Sequence, residues 1–333
     1  MRHSVRAGPW TTGLLAAALT VSVGGGIVFA VRTCDLAEAA DNAPDDRRAL
    51  AERVELLERE VRDLRRRLEE AERRETAERV PAQFDVRVLP GDWGDASPDD
   101  IREVCVSAAS ELARFAPGRD LGLITVEPAA GKGPMVLFKR GPEGERRVLL
   151  DARGNHWAQF AYQFAHEFCH ILCNSREGDP SNLWFEESLC ETASLFALRR
   201  MAETWKTRPP YPNWKGFAPS LAEYAETRLR TTADPGGPDL SDWWRSNSDE
   251  LRKNPHDRDR NRVAAKRLLT LLEKDPRRWA ATESLNRWDG RRKLSLRGYL
   301  AEWRRRVPES LGPFVEEVAA VFGYAGERDG PAK

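Results

Sequence analysis

From Trp10 to Val31 the chain runs for 22 residues without a single charge. A stretch of that length and apolarity has no place on the outside of a water-soluble domain. As a helix it would reach about 33 Å, enough to cross the hydrocarbon core of a bilayer. Arg2, His3 and Arg6 precede it, whereas Asp35, Glu38, Asp41, Asp45 and Asp46 follow Arg32. That asymmetry puts the N-terminus in the cytosol and everything after Arg32 outside. The sequence therefore predicts a signal anchor over residues 1–32, a single pass through the cell membrane and an extracytoplasmic body. The alternative is a signal peptide cleaved near Ala37-Glu38-Ala39, which would give a secreted protein.

Residues 44–80 read as a stalk. Apolar side chains fall at Leu50, Val54, Leu57, Val61, Leu64, Leu68 and Ala71, alternating steps of four and three. This is a heptad seam, with Val54 and Val61 at a and Leu50, Leu57 and Leu64 at d, a choice that favours a parallel two-stranded coil. A homodimer is the partner it predicts. A single charged helix laced by pairs such as Glu58–Arg62 is the plainer alternative.

Residues 84–325 carry the globular signal. Apolar residues make up 41% of the chain and aromatics 8%, enough for a buried core. Lys and Arg together number 53, as do Asp and Glu, so no basic surplus points to nucleic acid. Strand patterns at Phe84–Leu89, Leu121–Val126, Met135–Lys139 and Arg146–Leu150 surround a helix capped by Ser97. A second helix, His156 to about Cys173, carries an apolar stripe of Trp157, Phe160, Phe164, Phe168 and Ile171. Residues 84–175 thus form a sheet with its helices, and 182–325 a helical part. The fold class is α+β, a small mixed sheet subdomain plus a helical subdomain, behind the anchor and stalk.

Beside the apolar stripe lies His166-Glu167-Phe168-Cys169-His170. Imidazoles at i and i+4 project from one side of a helix and can share one ion, with Glu167 alongside as a base for a zinc-activated water. Zinc on two histidines needs a third protein ligand and one open position. Leu183-Trp184-Phe185-Glu186-Glu187-Ser188-Leu189-Cys190-Glu191 is again helix-like and follows after a loop. Glu187 is the first choice as ligand, with Glu191 accepting the outer N–H of a ligand histidine. Glu191 as ligand is the competing assignment, Glu186 stays open, and so does a thiolate in place of Glu187. A bridge between Cys190 and Cys169 or Cys173 would clamp the two helices; buried free thiols are the equal alternative.

These two segments resemble the gluzincin metallopeptidases, the thermolysin and aminopeptidase clan, in which His-Glu-x-x-His is followed by a Trp-aromatic-x-Glu helix. Ser188 and Cys190 stand where Gly and Ala are commoner. The resemblance implies a zincin-like fold, Zn2+ as cofactor, His166, His170 and Glu187 as ligands and Glu167 as base and proton shuttle. It implies that Glu191 is the acidic residue four beyond the ligand, and that the strand before the active-site helix, Arg146–Asp151, pairs with an extended peptide or protein substrate. It also implies an oxyanion donor from the helical part, for which His256 is the first candidate and Tyr224 and Tyr211 the others. The activity expected is peptide-bond hydrolysis. A tethered scaffold with a catalytically inactive zincin-like domain is the rival.

Overall fold

A computed structural model describes residues 53–64, 66, 82–174, 176–177, 179–237 and 239–324. The chain forms two compact units, Met1–Glu69 and Glu70–Lys333. Of the first, residues 53–64 are helical. Its seam residues Val54, Leu57 and Leu64 are exposed, and Glu58 and Arg62 form an i,i+4 pair at 3.5 Å. The expected anchor and the rest of the stalk lie outside the described residues. Among those described, no helix is long and apolar enough to cross a membrane.

The second unit opens with a β-α-β-β-β-α run. The strands are β1 (Gln83–Val88), β2 (Asp120–Pro128), β3 (Met135–Leu137) and β4 (Arg146–Leu150). They stand in the order β1-β2-β4-β3, parallel except for the antiparallel β3–β4 pair. This places β4 between two neighbours. The expectation that β4 pairs with substrate is therefore corrected, because both of its ladders are already used, and the strand on that edge of the sheet is β3. A mixed sheet follows from the connections: β1 to β2 crosses over through a helix, whereas β3 and β4 are joined by a short turn.

That crossover helix, α1 (Pro98–Ala113), begins where the sequence signals it. Ser97 Oγ accepts the N–H of Asp100 at 3.0 Å, Pro98 opens the first turn, and Asp99 and Asp100 meet the positive end of the dipole. Helix α2 (Trp157–Leu172) lies at the centre of the unit. Phe160, Phe164 and Phe168 are fully buried along it, which fixes its rotation. Gln163 fixes its height, since its side-chain oxygen accepts the N–H groups of Asp151 and Ala152 just past β4, at 2.9 and 3.1 Å.

Helix α3 (Leu183–Trp205) is buried on nearly every side. Buried residues fall on every side of it, the carboxylates Glu186, Glu187 and Glu191 among them, as in a helix enclosed by others. Around it stand α4 (Ala218–Thr231), α5 (Ser241–Lys253) and α6 (Arg258–Lys274), then α7 (Leu296–Arg306) and α8 (Gly312–Val321). Ser194 Oγ donates to the backbone oxygen of Tyr162 at 2.8 Å, one of the ties between α3 and α2. The mixed sheet and the helical part thus meet along α2, the helix that carries His166, Glu167 and His170.

Candidate metal centre

His166 and His170 sit one turn apart on α2, ring centroids 5.2 Å from each other. Their neighbours along the chain, Ala165, Glu167, Cys169 and Ile171, are all buried. Facing them, the first two turns of α3 supply Glu186, Glu187 and Cys190, all buried. One nitrogen from each histidine and the Cys190 sulfur lie within 4.8 Å of one another, so this cluster can hold a metal ion.

Glu187 reaches furthest into the group. Its Oε2 is 3.1 Å from His166 Nε2, and its Oε1 is 3.4 Å from His170 Nε2 and 3.1 Å from His256 Nδ1. These are direct contacts, the distances of a carboxylate hydrogen-bonded or ion-paired to imidazoles. His256 comes from the loop before α6, and its ring is exposed on the outer side. The inner side is closed by sulfur. Cys169, Cys173 and Cys190 are buried and free, with Cys169 and Cys173 sulfurs 3.9 Å apart. No described cysteine is bridged, so the expected clamp is replaced by its alternative, a group of thiols.

The carboxylate behind His170 is Glu186. Its Oε1 lies 2.6 Å from His170 Nδ1. Asn286 donates to its Oε2 at 2.6 Å and to the backbone oxygen of Cys173 at 3.1 Å, and Tyr299 donates to Asn286 Oδ1 at 2.7 Å. Glu191, expected in the role that Glu186 takes, instead accepts the phenol of Tyr162. Of the other oxyanion candidates, Tyr224 packs on Tyr162 and accepts from Arg228, and Tyr211 stacks edge-on against Trp214. His156 is the N-cap residue of α2.

Charge explains why these groups hold together. Burial opposes protonation of His166, but the hydrogen bond to Glu187 and the charges of Glu167 and Glu187 raise its pKa above the usual 6.5. His170 is raised further, burial being outweighed by Glu187 and by the bonds to Glu186 and Glu187. Burial would raise Glu187 too, yet the charge on His170 and hydrogen bonds to the imidazoles hold it far below the carboxylate range. His256 is raised chiefly by its bond to Glu187. The pocket around Glu187 therefore demands positive charge, and protons on the imidazoles supply it where a cation would otherwise do so. Glu167 differs: burial raises its pKa, partly offset by His166 and His170 and by the backbone N–H of Val136 on β3.

Sequence spacing leads to His166, Glu167, His170 and the acidic stretch of α3. It offers nothing for Asn286, Tyr299 or Val136, which arrive from distant segments and carry no local signature. A helix-borne His-Glu-x-x-His pair facing donors from a second helix, between a mixed sheet and a helical part, is a zincin-type arrangement. The thiol among its donors departs from the gluzincin pattern. The chain matches no protein-family model, no curated protein and no solved structure in comparisons with each.

Proposed function

We propose that this protein is a zinc-dependent peptidase of gluzincin type, held outside the cell membrane by its N-terminal segment and paired through its stalk. The observation that carries the reading is the cluster of His166, His170 and Cys190, whose donor atoms lie within 4.8 Å of one another, with the Glu187 carboxylate in contact with both imidazoles. Two imidazoles and a carboxylate, with an exposed side left over, are the donor set of a catalytic zinc. When bound, the ion would polarise a carbonyl and bring the pKa of a water down to about 7.

The chain's own residues do the rest. His166, His170 and Glu187 would hold the ion, and Glu186 would fix the ring of His170 through Nδ1. Glu167, buried and with its proton affinity raised, takes a proton from the attacking water and hands it to the leaving amine. His256 offers an N–H from the exposed side to the developing oxyanion. The outer edge of β3, next to Glu167 through Val136, is the natural place for an extended peptide to add as a strand. The apolar run after basic residues supports the anchor, and the exposed seam of residues 53–64 supports a homodimer.

Cys190 favours a second reading. With His166, His170 and Glu187 it makes four protein donors, and a closed shell of four is the mark of a structural zinc. That would suit a tethered scaffold with an inactive domain. Metal analysis of the purified protein, cobalt substitution and a chelator-sensitive assay on mixed peptides test both. One zinc per chain, no thiolate-to-cobalt absorption and cleavage abolished by chelator are expected. A thiolate band lost in Cys190→Ser, with no peptide cleaved, would overturn the peptidase.

A further inference from the structure

Two asparagines fasten the end of α2 to a segment 109–113 residues further along the chain. Asn174, just past the helix, donates from its side chain to the backbone oxygens of Glu283 and Leu285 at 2.8 and 3.0 Å. Asn286 answers from the other side, donating to the backbone oxygen of Cys173 at 3.1 Å. Both have left-handed backbones, with φ of 55° and 57°, which asparagine tolerates better than most residues with a side chain. Arg119 completes the clasp, donating to the Leu172 oxygen at 2.6 Å and to Asn174 Oδ1 at 3.0 Å. The last carbonyls of a helix have no partner within it, and here two of them are met from outside.

The two asparagines are alike in backbone and in bonds across the chain, and they differ in one contact. Asn286 also donates to Glu186 Oε2 at 2.6 Å, while Oε1 of that carboxylate faces His170 Nδ1 at 2.6 Å. Tyr299 donates to Asn286 Oδ1 at 2.7 Å, so the amide fits only one way round. Reversed, its oxygen would meet a carboxylate and a carbonyl, both of them acceptors. A carboxylate held by one oxygen can turn about its last bond. Held by both, it keeps its plane and presents Oε1 to an N–H. With a proton on Nδ1, the neutral ring of His170 carries its lone pair on Nε2, the nitrogen 3.4 Å from Glu187 Oε1.

We propose that Asn286 is a positioning residue, which through Glu186 fixes the plane and tautomer of His170 and so ties metal affinity on α2 to the docking of residues 283–286. It rests on the reading of His170 as a metal ligand, and a measurement without metal keeps the two apart. Asn286→Gly and Asn174→Gly are compared in the full chain. Glycine suits the left-handed backbone at both places, and each change removes bonds across the clasp, but only the first releases Glu186. In chelator competition Asn286→Gly should bind zinc about 10–100-fold more weakly than wild type, and Tyr299→Phe should follow by a smaller factor. Asn174→Gly should lower Tm yet stay within about twofold of the wild-type affinity. Equal weakening in the two glycine variants, or wild-type affinity in Asn286→Gly, overturns the proposal.

Should the wild type take up no zinc, the metal reading fails and the imidazole decides. Nitrogen NMR of the metal-free chain, with the His170 ring neutral, should place its proton on Nδ1 in wild type and in Asn174→Gly. A mixture of both tautomers is expected in Asn286→Gly. One unchanged tautomer in all three would end it.

Discussion

Two buried polar clusters share the seam between α2 and α3, one helical turn apart. At the first, His166 and His170 face Glu186 and Glu187. At the second, Tyr162 donates to Glu191, and the Arg228 guanidinium lies over the rings of Tyr162 and Tyr224 at 5.5 and 4.9 Å. Both put a carboxylate from α3 against a ring from α2 in the same water-poor layer. The rings make the difference. Burial and the neighbouring Glu191 push the Tyr162 phenol well above its usual 10, so it keeps its proton and serves only as a donor. An imidazole can give its proton up and present a lone pair, which makes the first cluster a place for a cation and the second a structural brace.

The largest expected effect is at the ligands. His166→Ala, His170→Ala or Glu187→Ala should each take zinc content from about one per chain to near zero by metal analysis, whereas Tyr162→Phe should leave it unchanged. Loss of zinc in Tyr162→Phe would erase the distinction between the clusters. Next comes Glu167→Gln, which should retain the metal and lower kcat by about 10²–10⁴. Turnover at the wild-type rate would remove Glu167 from the chemistry.

Smaller effects sharpen the contrast. Glu186→Gln should weaken zinc binding about 10–100-fold in a chelator competition, as expected of a group that only orients a ligand. Glu191→Gln should change that affinity much less. Tyr162→Phe should cost about 1–3 kcal/mol of stability in denaturant titration, because it strips a buried carboxylate of its donor.

The pH response should separate metal-free from loaded protein. In the metal-free chain the folded pKa of His170 is raised, so its contribution is fully present below the usual 6.5 and is lost as pH climbs through the raised value. Glu187 is depressed, so its contribution is present above the usual 4.5 and is lost only as pH falls through the folded value. Zinc reverses the slope on the alkaline side, since it binds deprotonated imidazoles and displaces their protons. Melting curves from about pH 6 to 9 should therefore diverge, Tm falling with pH in chelator and rising with zinc. Parallel curves would mean that the ion sits elsewhere.

Local signals were the legible ones. Ser97 and Pro98 announce α1, the spaced phenylalanines announce α2, and alternation in β1 together with the Gly- and Pro-rich separators around the other three finds the strands to within two residues. The pair at 166 and 170 follows from helix geometry alone. Strand order was less accessible, because β4 looks like an edge until β3 is seen to fold back beside it. The choice between Glu186 and Glu191 behind a histidine was out of reach for a similar reason. Both lie on buried faces of a helix that is enclosed nearly all round, so no periodicity says which one looks toward His170.

By itself the sequence determined the uncharged run, the heptad spacing, the α+β layout and the facing pair of imidazoles, since each depends on neighbours within a few residues. Tertiary structure alone decided that Glu187 meets both imidazoles and that Asn286 and Tyr299 brace Glu186. The Glu186–Asn286 bond alone joins residues 100 apart in sequence, and nothing in a local pattern encodes the direction from which a distant loop arrives.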